Sequence, residues 1–352
     1  MPFLPTRLAI PLLALLPVTT VAAPPASLSF THNDWEIACD NTRTCRAAGY
    51  QRDGDEPPVS VLLTREAGPG KPVKGQVMLG SYDDQAAAPK TDLLLRIGEQ
   101  DLGKVALAKG ELQGDLSSAQ VDALLAALRR DSAIAFVAGG LRWKLSDQGA
   151  STVLLKMDEF QGRLGTPGAL VRKGDGDESK VLPALPVPVV VVPKQPATTA
   201  ADLALAGDAA LRRAVLATVK EDDCAPPKAD GEGDDDDEEG TLGVQRLSAG
   251  KLLVSLQCWM AAYNEGSGYW VVDDKPPYAA TLVTTMASDY TNGQISSAQK
   301  GRGLGDCWST NSWSWNGQAF LHTAAATTGQ CKLVAAGGAW ELPTLVTTVK
   351  QP

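Results

Sequence analysis

Six cysteines behind an apolar N-terminal run constrain this chain more than any other feature: Cys39, Cys45, Cys224, Cys258, Cys307 and Cys331. Arg7 is the only charge ahead of an apolar stretch from Leu8 to Val21, and Val21-Ala22-Ala23 supplies small residues for cleavage. Residues 1–23 therefore read as a secretory signal peptide. Pro11 and Pro17 interrupt the run, so it makes a poor permanent membrane helix, and no membrane anchor is expected after signal removal. The expected location is the periplasm or the outside of the cell, where an even number of cysteines pairs into disulfides. Two cysteines lie in the first half of the chain, which selects Cys39–Cys45; sequence proximity then favours Cys224–Cys258 and Cys307–Cys331. Full pairing leaves no thiol for catalysis. No C-x-x-C pair is present, which tells against zinc, and neither a metal nor a cofactor is expected.

The length of 352 residues suits two domains. The first, over 27–172, opens with Trp35-Glu36-Ile37-Ala38-Cys39, where alternation puts Trp35, Ile37 and Cys39 on one strand face. Further strands are expected at 59–64, 73–79, 92–97, 103–108, 133–137, 142–145 and 152–156. One helix is well signalled: Ser117 or Ser118 caps it, Val121, Leu124, Leu125 and Leu128 follow at helical spacing, and Arg129 and Arg130 suit its last turn. Prolines crowd residues 173–200, which read as an interdomain linker with an edge strand at 189–192 as the competing reading. The second domain, over 201–352, is expected to open with a helix around 208–220. Strands follow at 241–247, 252–260, 269–272 and 280–285, then a tail of short strands. The expected class is mainly β with a few helices (α+β), as two β-rich domains, each with one packed helix.

Net charge is −9, yet residues 221–239 hold eleven acids and one lysine, leaving the rest of the chain at +1. Acidity thus belongs to one solvated loop. Nucleic acid is an unlikely partner for such a chain. An EF-hand register fails in this loop because Thr241 stands where the closing Glu is needed. The loop's charge instead suits a cationic partner such as a basic protein.

The run Trp35-Glu36-Ile37-Ala38-Cys39-Asp40-Asn41-Thr42-Arg43-Thr44-Cys45-Arg46-Ala47-Ala48-Gly49-Tyr50 resembles the opening of the bacterial domain of unknown function family 1176. So do Met157-Asp158-Glu159-Phe160-Gln161-Gly162-Arg163, Lys300-Gly301-Arg302-Gly303-Leu304-Gly305-Asp306-Cys307 and the segment from Trp313 to Phe320. A fainter similarity links the Trp-x-Ile-x-Cys opening to the invasion-associated locus B family. The resemblance implies a Gram-negative periplasmic or secreted protein and carries no reaction or catalytic residue. The chain departs from the family pattern at Trp308, where a small residue usually follows the cysteine, and in the length of its acidic run.

Few residues invite chemistry. His32 and His322 fall in different expected domains, there is no G-x-S-x-G elbow, and Gly301–Gly305 reads as a tight turn that places Cys307. The doublets Asp158-Glu159 and Asp273-Asp274 point opposite ways if each lies on a strand. Trp308, Trp313 and Trp315, with Asn311 and Asn316, compose a ligand surface on which sugar rings would stack; the favoured competing reading packs the indoles over Cys307–Cys331. The functional expectation is a non-enzymatic binding or interaction module of the bacterial cell envelope, its partner an envelope glycan or a basic protein. The alternatives are a carboxylate-dependent envelope glycan hydrolase and a structural envelope or stress factor.

Overall fold

A computed structural model describes residues 27–80, 89, 91–108, 111–225 and 241–351. The signal segment and most of the acidic run lie outside these residues. The fold is α+β, mostly strand, in two β-rich regions.

The first region holds β1 (Leu28–His32), β2 (Trp35–Cys39), β3 (Cys45–Tyr50), β4 (Val59–Arg65), β5 (Val73–Leu79), β6 (Leu93–Ile97), β7 (Gln100–Leu107), β8 (Gln113–Leu116), α1 (Ser118–Ala127), β9 (Ile134–Ala138), β10 (Leu141–Leu145) and α2 (Ala150–Phe160). The strands form one ten-stranded sheet in the order β1-β2-β3-β4-β5-β8-β7-β6-β9-β10. Trp35, Ile37 and Cys39 alternate into the core beneath both helices. Gly49, paired with Trp35, leaves room for the indole; a Cβ there would fall 2.2 Å from the ring.

Two helices, not one, pack on this sheet. Residues 152–156 form no strand; they lie inside α2, whose Ala150, Val153, Leu154 and Met157 bury one helical stripe. The β-branched Thr152-Val153 pair imitates a strand, but the three-to-four spacing wins once one face has a core to enter. In α1, Ser117 and Gln120 make a reciprocal capping box. The helix ends at Ala127, so Arg129 and Arg130 fall beyond its last turn.

Next come β11 (Val189–Val191), α3 (Ala200–Leu203), α4 (Ala209–Leu216), β12 (Gly243–Ser248), β13 (Lys251–Met260), β14 (Glu265–Asp273), β15 (Thr281–Ala287), β16 (Asp289–Thr291), β17 (Gln294–Lys300), β18 (Trp308–Trp315), β19 (Phe320–Thr327), β20 (Leu342–Leu345) and β21 (Thr348–Lys350). Strands β12–β15 form one antiparallel sheet and β16–β20 another. The four-stranded sheet has two buried faces. Leu252, Val254, Leu256 and Cys258 face α4 with Leu211 and Val215, while Leu253 and Val271 meet Ile295 and Trp315 of the five-stranded sheet. Strict alternation from Leu252 would put Met260 on the same face as Cys258, but the register shifts between Gln257 and Trp259, and Met260 ends 64% exposed.

The proline-rich segment is not a slack tether. Leu182 and Leu185 donate to the carbonyls of Gln161 and Thr42, and β11 pairs in parallel with β21. The tail also returns to the first region, where Val334, Ala339, Trp340 and Leu342 cover Ala38, Ala48, Tyr50 and Leu62 on the outer face of its sheet. The disulfides join Cys39 to Cys45, Cys224 to Cys258 and Cys307 to Cys331.

Candidate functional site

The tryptophan strand does not assemble an open platform. Trp315 is fully buried between the two sheets of the second region, so it cannot line a surface for sugar. It shares that inward face with Trp313, which sits half-buried at the margin with its ring 5.1 Å from His322 and nearly parallel to it. His322 Nε2 meets Asn311 Oδ1 at 3.0 Å. Trp308 donates through Nε1 to the Gly305 carbonyl, and Lys300 Nζ lies 5.4 Å from its ring centre. Asn316 accepts from the amides of Gln318 and Ala319 and so closes the β18–β19 turn. Trp308 and Asn316 stand at opposite ends of an extended segment, roughly 26 Å apart at the rise of a strand. The packed reading holds for Trp315, though what surrounds it is the inter-sheet core and not the Cys307–Cys331 bridge.

Other sequence candidates are spent on structure. The Asp306 carboxylate and the sulfurs of Cys307 and Cys331 lie within 4.8 Å of one another. The sulfurs are bonded together, however, and Asp306 accepts from both Arg302 nitrogens and the Leu333 amide. In the doublets, Glu159 pairs with Lys156, Asp273 with Lys251 and Asp274 with Arg246. None of these arrangements joins a nucleophile to a base.

The residues that do converge surround a groove of about 560 Å³. One wall is a stripe of α1, where Ser118, Asp122, Leu125 and Ala126 recur at helical spacing, continued by Arg129 just past the helix end. The β4–β5 turn, with Lys71 and Pro72, and the loop from Pro167 to Lys173 supply the others. The loop is set by Asp158 of α2, fully buried, whose Oδ2 accepts from the Leu170 and Val171 amides at 2.7 and 2.9 Å. Gln161 donates to the carbonyls of Arg43 and Arg65. Arg163, with no exposed surface, donates to Gln161 Oε1, the Glu66 and Gly68 carbonyls and Glu178. One short segment of α2 and its exit thus pins the turn and the loop that shape the groove.

Arg65 completes the floor. Its side chain is 5% exposed, Nε donates to the Lys71 carbonyl, and Nη1 stops 3.8 Å from Asp158 Oδ1 with neither atom hydrogen-bonded. Burial, then the nearby Arg163 charge, bring its guanidinium down to about 10, against the pull of Asp158 and Glu178. Burial also raises Asp158 above the usual carboxylate range, although two amides and two arginines oppose it. At Glu178 burial works upward too, but bonds from Thr166, Gly168 and Gly70 and the Arg163 charge hold the carboxyl below its ordinary value. In the sequence this site shows only as Asp158–Arg163, through its family likeness and the Asp158-Glu159 doublet; the partnership with Arg65 is long-range and invisible to local patterning.

The profile of the family described as protein of unknown function (DUF1176) matches residues 29–347. The chain belongs to the DUF1176 family. Among relatives of this DUF1176 chain, the uncharacterized protein YpfG of Escherichia coli strain K12 is 26% identical over 371 aligned residues, covering 94% of this chain and 96% of that one. The crystal structure of invasion associated protein b from Bartonella henselae aligns over 39% of the DUF1176 chain and 99% of its own, with 15% identity and a TM-score of 0.28.

Proposed function

We propose that this DUF1176 chain is an exported, non-catalytic binding module of the bacterial cell envelope, and that the groove beside Arg65 is its binding site. The observation that carries this reading is the way the groove's ionisable groups are employed. Asp158, Arg163 and Glu178 hold backbone and each other in place, so their role is shape. A glycan hydrolase needs one carboxyl whose proton is held up toward neutral pH. Of the carboxyls here the raised one is Asp158, which is sealed in the core with Oδ2 committed to two amides, while Glu178, which lines the groove, is shifted the opposite way. The paired cysteines support an oxidising compartment and remove thiol chemistry. Among the described residues no helix is long and apolar enough to cross a membrane. Of the two partner classes, a basic protein is a poor match for a groove with four cationic side chains at its walls, and an envelope component fits better.

The test is expression of the full chain in a Gram-negative host, followed by osmotic-shock fractionation and alkylation without reductant. The expected product is periplasmic, starts after residue 23 and carries no alkylated sulfur. A cytosolic chain with six reactive thiols overturns the export reading, and release of sugar from purified peptidoglycan overturns the non-catalytic one.

A further inference from the structure

We infer that the groove takes an amphipathic organic anion, a carboxylate on an apolar body, with its head group between Arg65 and the basic rim; the inference rests on the groove being the binding site. Three independent observations meet there. The first is Arg65, nineteen-twentieths buried at the floor, with one terminal nitrogen lacking an acceptor. Buried charged donors ordinarily find one. The single nearby carboxylate, Asp158, has turned its other oxygen to two backbone amides and keeps its distance. The second is the surplus of positive charge. Four cations, Arg65, Lys71, Arg129 and Lys173, line the groove against two carboxylates, Asp122 and Glu178, and Glu178 pairs with Arg163; at the rim Arg129 and Lys173 are exposed and make no side-chain pair among the described residues. Lys71 shares its charge with Glu66. The third is the surface between these charges, which is apolar: Leu125 and Ala126 on one side, Pro72, Val73 and Leu170 on the other.

Each feature selects part of the ligand. A cation or a strongly basic peptide meets like charge. Inorganic phosphate satisfies the arginine but leaves the apolar walls wet. A neutral alkyl chain covers the walls and leaves Arg65 unanswered. An aliphatic carboxylate does both, and its head group accepts charge-assisted bonds from a guanidinium.

The experiment titrates the mature, disulfide-bonded chain with octanoate by calorimetry, beside octanol, octylamine and inorganic phosphate. Octanoate is expected to saturate one site and to bind roughly tenfold more tightly than any of the other three. In Arg129→Ala/Lys173→Ala, which alters only exposed side chains, octanoate should weaken by about tenfold. Arg65→Met should abolish binding; because that residue is buried, its folding is checked by circular dichroism, and the rim variant stands without it. No saturable octanoate binding by the folded chain overturns the inference, as does octanoate binding that the rim variant leaves unchanged. Octanol binding as tightly as octanoate, and lost in Leu125→Asp, refutes the anion assignment while sustaining the groove as a binding site.

Discussion

Replacing Cys224 and Cys258 by alanine opens the disulfide that ties the segment after α4 to β13. Both sulfurs are buried in the core that holds Leu211, Val215 and Trp270, and the bond closes a loop of 34 residues. Loop-closure entropy assigns such a bond roughly 3–4 kcal/mol, comparable with the stability margin of a whole domain. For a region of this size that is a fall in melting temperature of about 10 °C. The loop also contains eight of the eleven carboxylates of the acidic stretch and its one lysine. Without the bond, unfolding relieves that self-repulsion more fully, so the deficit should be larger at low ionic strength and shrink as salt screens it. The assay is thermal unfolding followed by near- and far-ultraviolet circular dichroism, for the wild type and the double variant, at low and high salt. A double variant that melts with the wild type refutes the reasoning about the loop. A deficit indifferent to salt refutes the electrostatic half alone.

Trp315→Ala should destabilise the second region by about 3–5 kcal/mol, the usual cost of emptying a buried aromatic site, whereas Trp308→Ala should cost much less; urea unfolding separates the two. Glu36 is pushed above the usual carboxylate range by burial, with bonds from the Tyr50 hydroxyl and the Gln330 amide opposing the shift. The folded state therefore holds a proton that the unfolded chain releases, and stability gains from Glu36 as pH falls toward its ordinary value of 4.5. Glu36→Gln should lose that gain, and parallel melting curves against pH for variant and wild type would contradict it. Asp202 is lowered to about 2, first by its bond from Arg246 and then by the Thr199 amide. Its stabilisation, roughly 1–2 kcal/mol, is present above 3.8 and lost as pH falls toward 2. Asp202→Asn should flatten acid unfolding in that window; an unchanged acid limb would count against the pair.

Local chemistry made much of the architecture readable. Alternation in Trp35–Cys39, the cap at Ser117 and the aliphatic stripe of β13 each report what a face must bury, and each is decided within a few residues. What stayed hidden depends on distant partners. Alternation puts Glu36 on the face of β2 opposite Trp35, and only the distant tail, by covering that face, leaves Glu36 to accept from Tyr50 and Gln330. Thr152–Lys156, expected as a strand, carries a β-branched pair that suits one, and only the core beneath Ala150, Val153, Leu154 and Met157 decides for helix. The tryptophans were grouped by proximity along the chain, although an extended strand separates its ends by more than any small ligand spans.

The return of the tail bears on how the groove is held. Val334 to Leu342 lie on the outer face of β2–β4, and Trp340 Nε1 donates to Ser60 Oγ of β4 at 2.7 Å. Asn41 and Val346 exchange two bonds, and Lys332 Nζ reaches Asp34 and Asp53 at 2.9 and 2.6 Å. Strand β4 ends in Arg65, so the strand that carries the groove's buried cation is clamped on one face by the helices and on the other by residues from the far end of the chain. A groove whose floor rests on a buried charge needs such a frame, because a floor free to move would bring water to Arg65 and dissipate its field. Three of the four strings that carry the family likeness reach this frame, while Trp313 to Phe320 belongs to the inter-sheet core of the second region. Asp158, Gln161 and Arg163 fasten the walls, and Cys307 with Cys331 holds the tail at the point where it turns back toward β2. What they contribute is a fixed shape, in which the groove's walls and the returning tail are held to one strand.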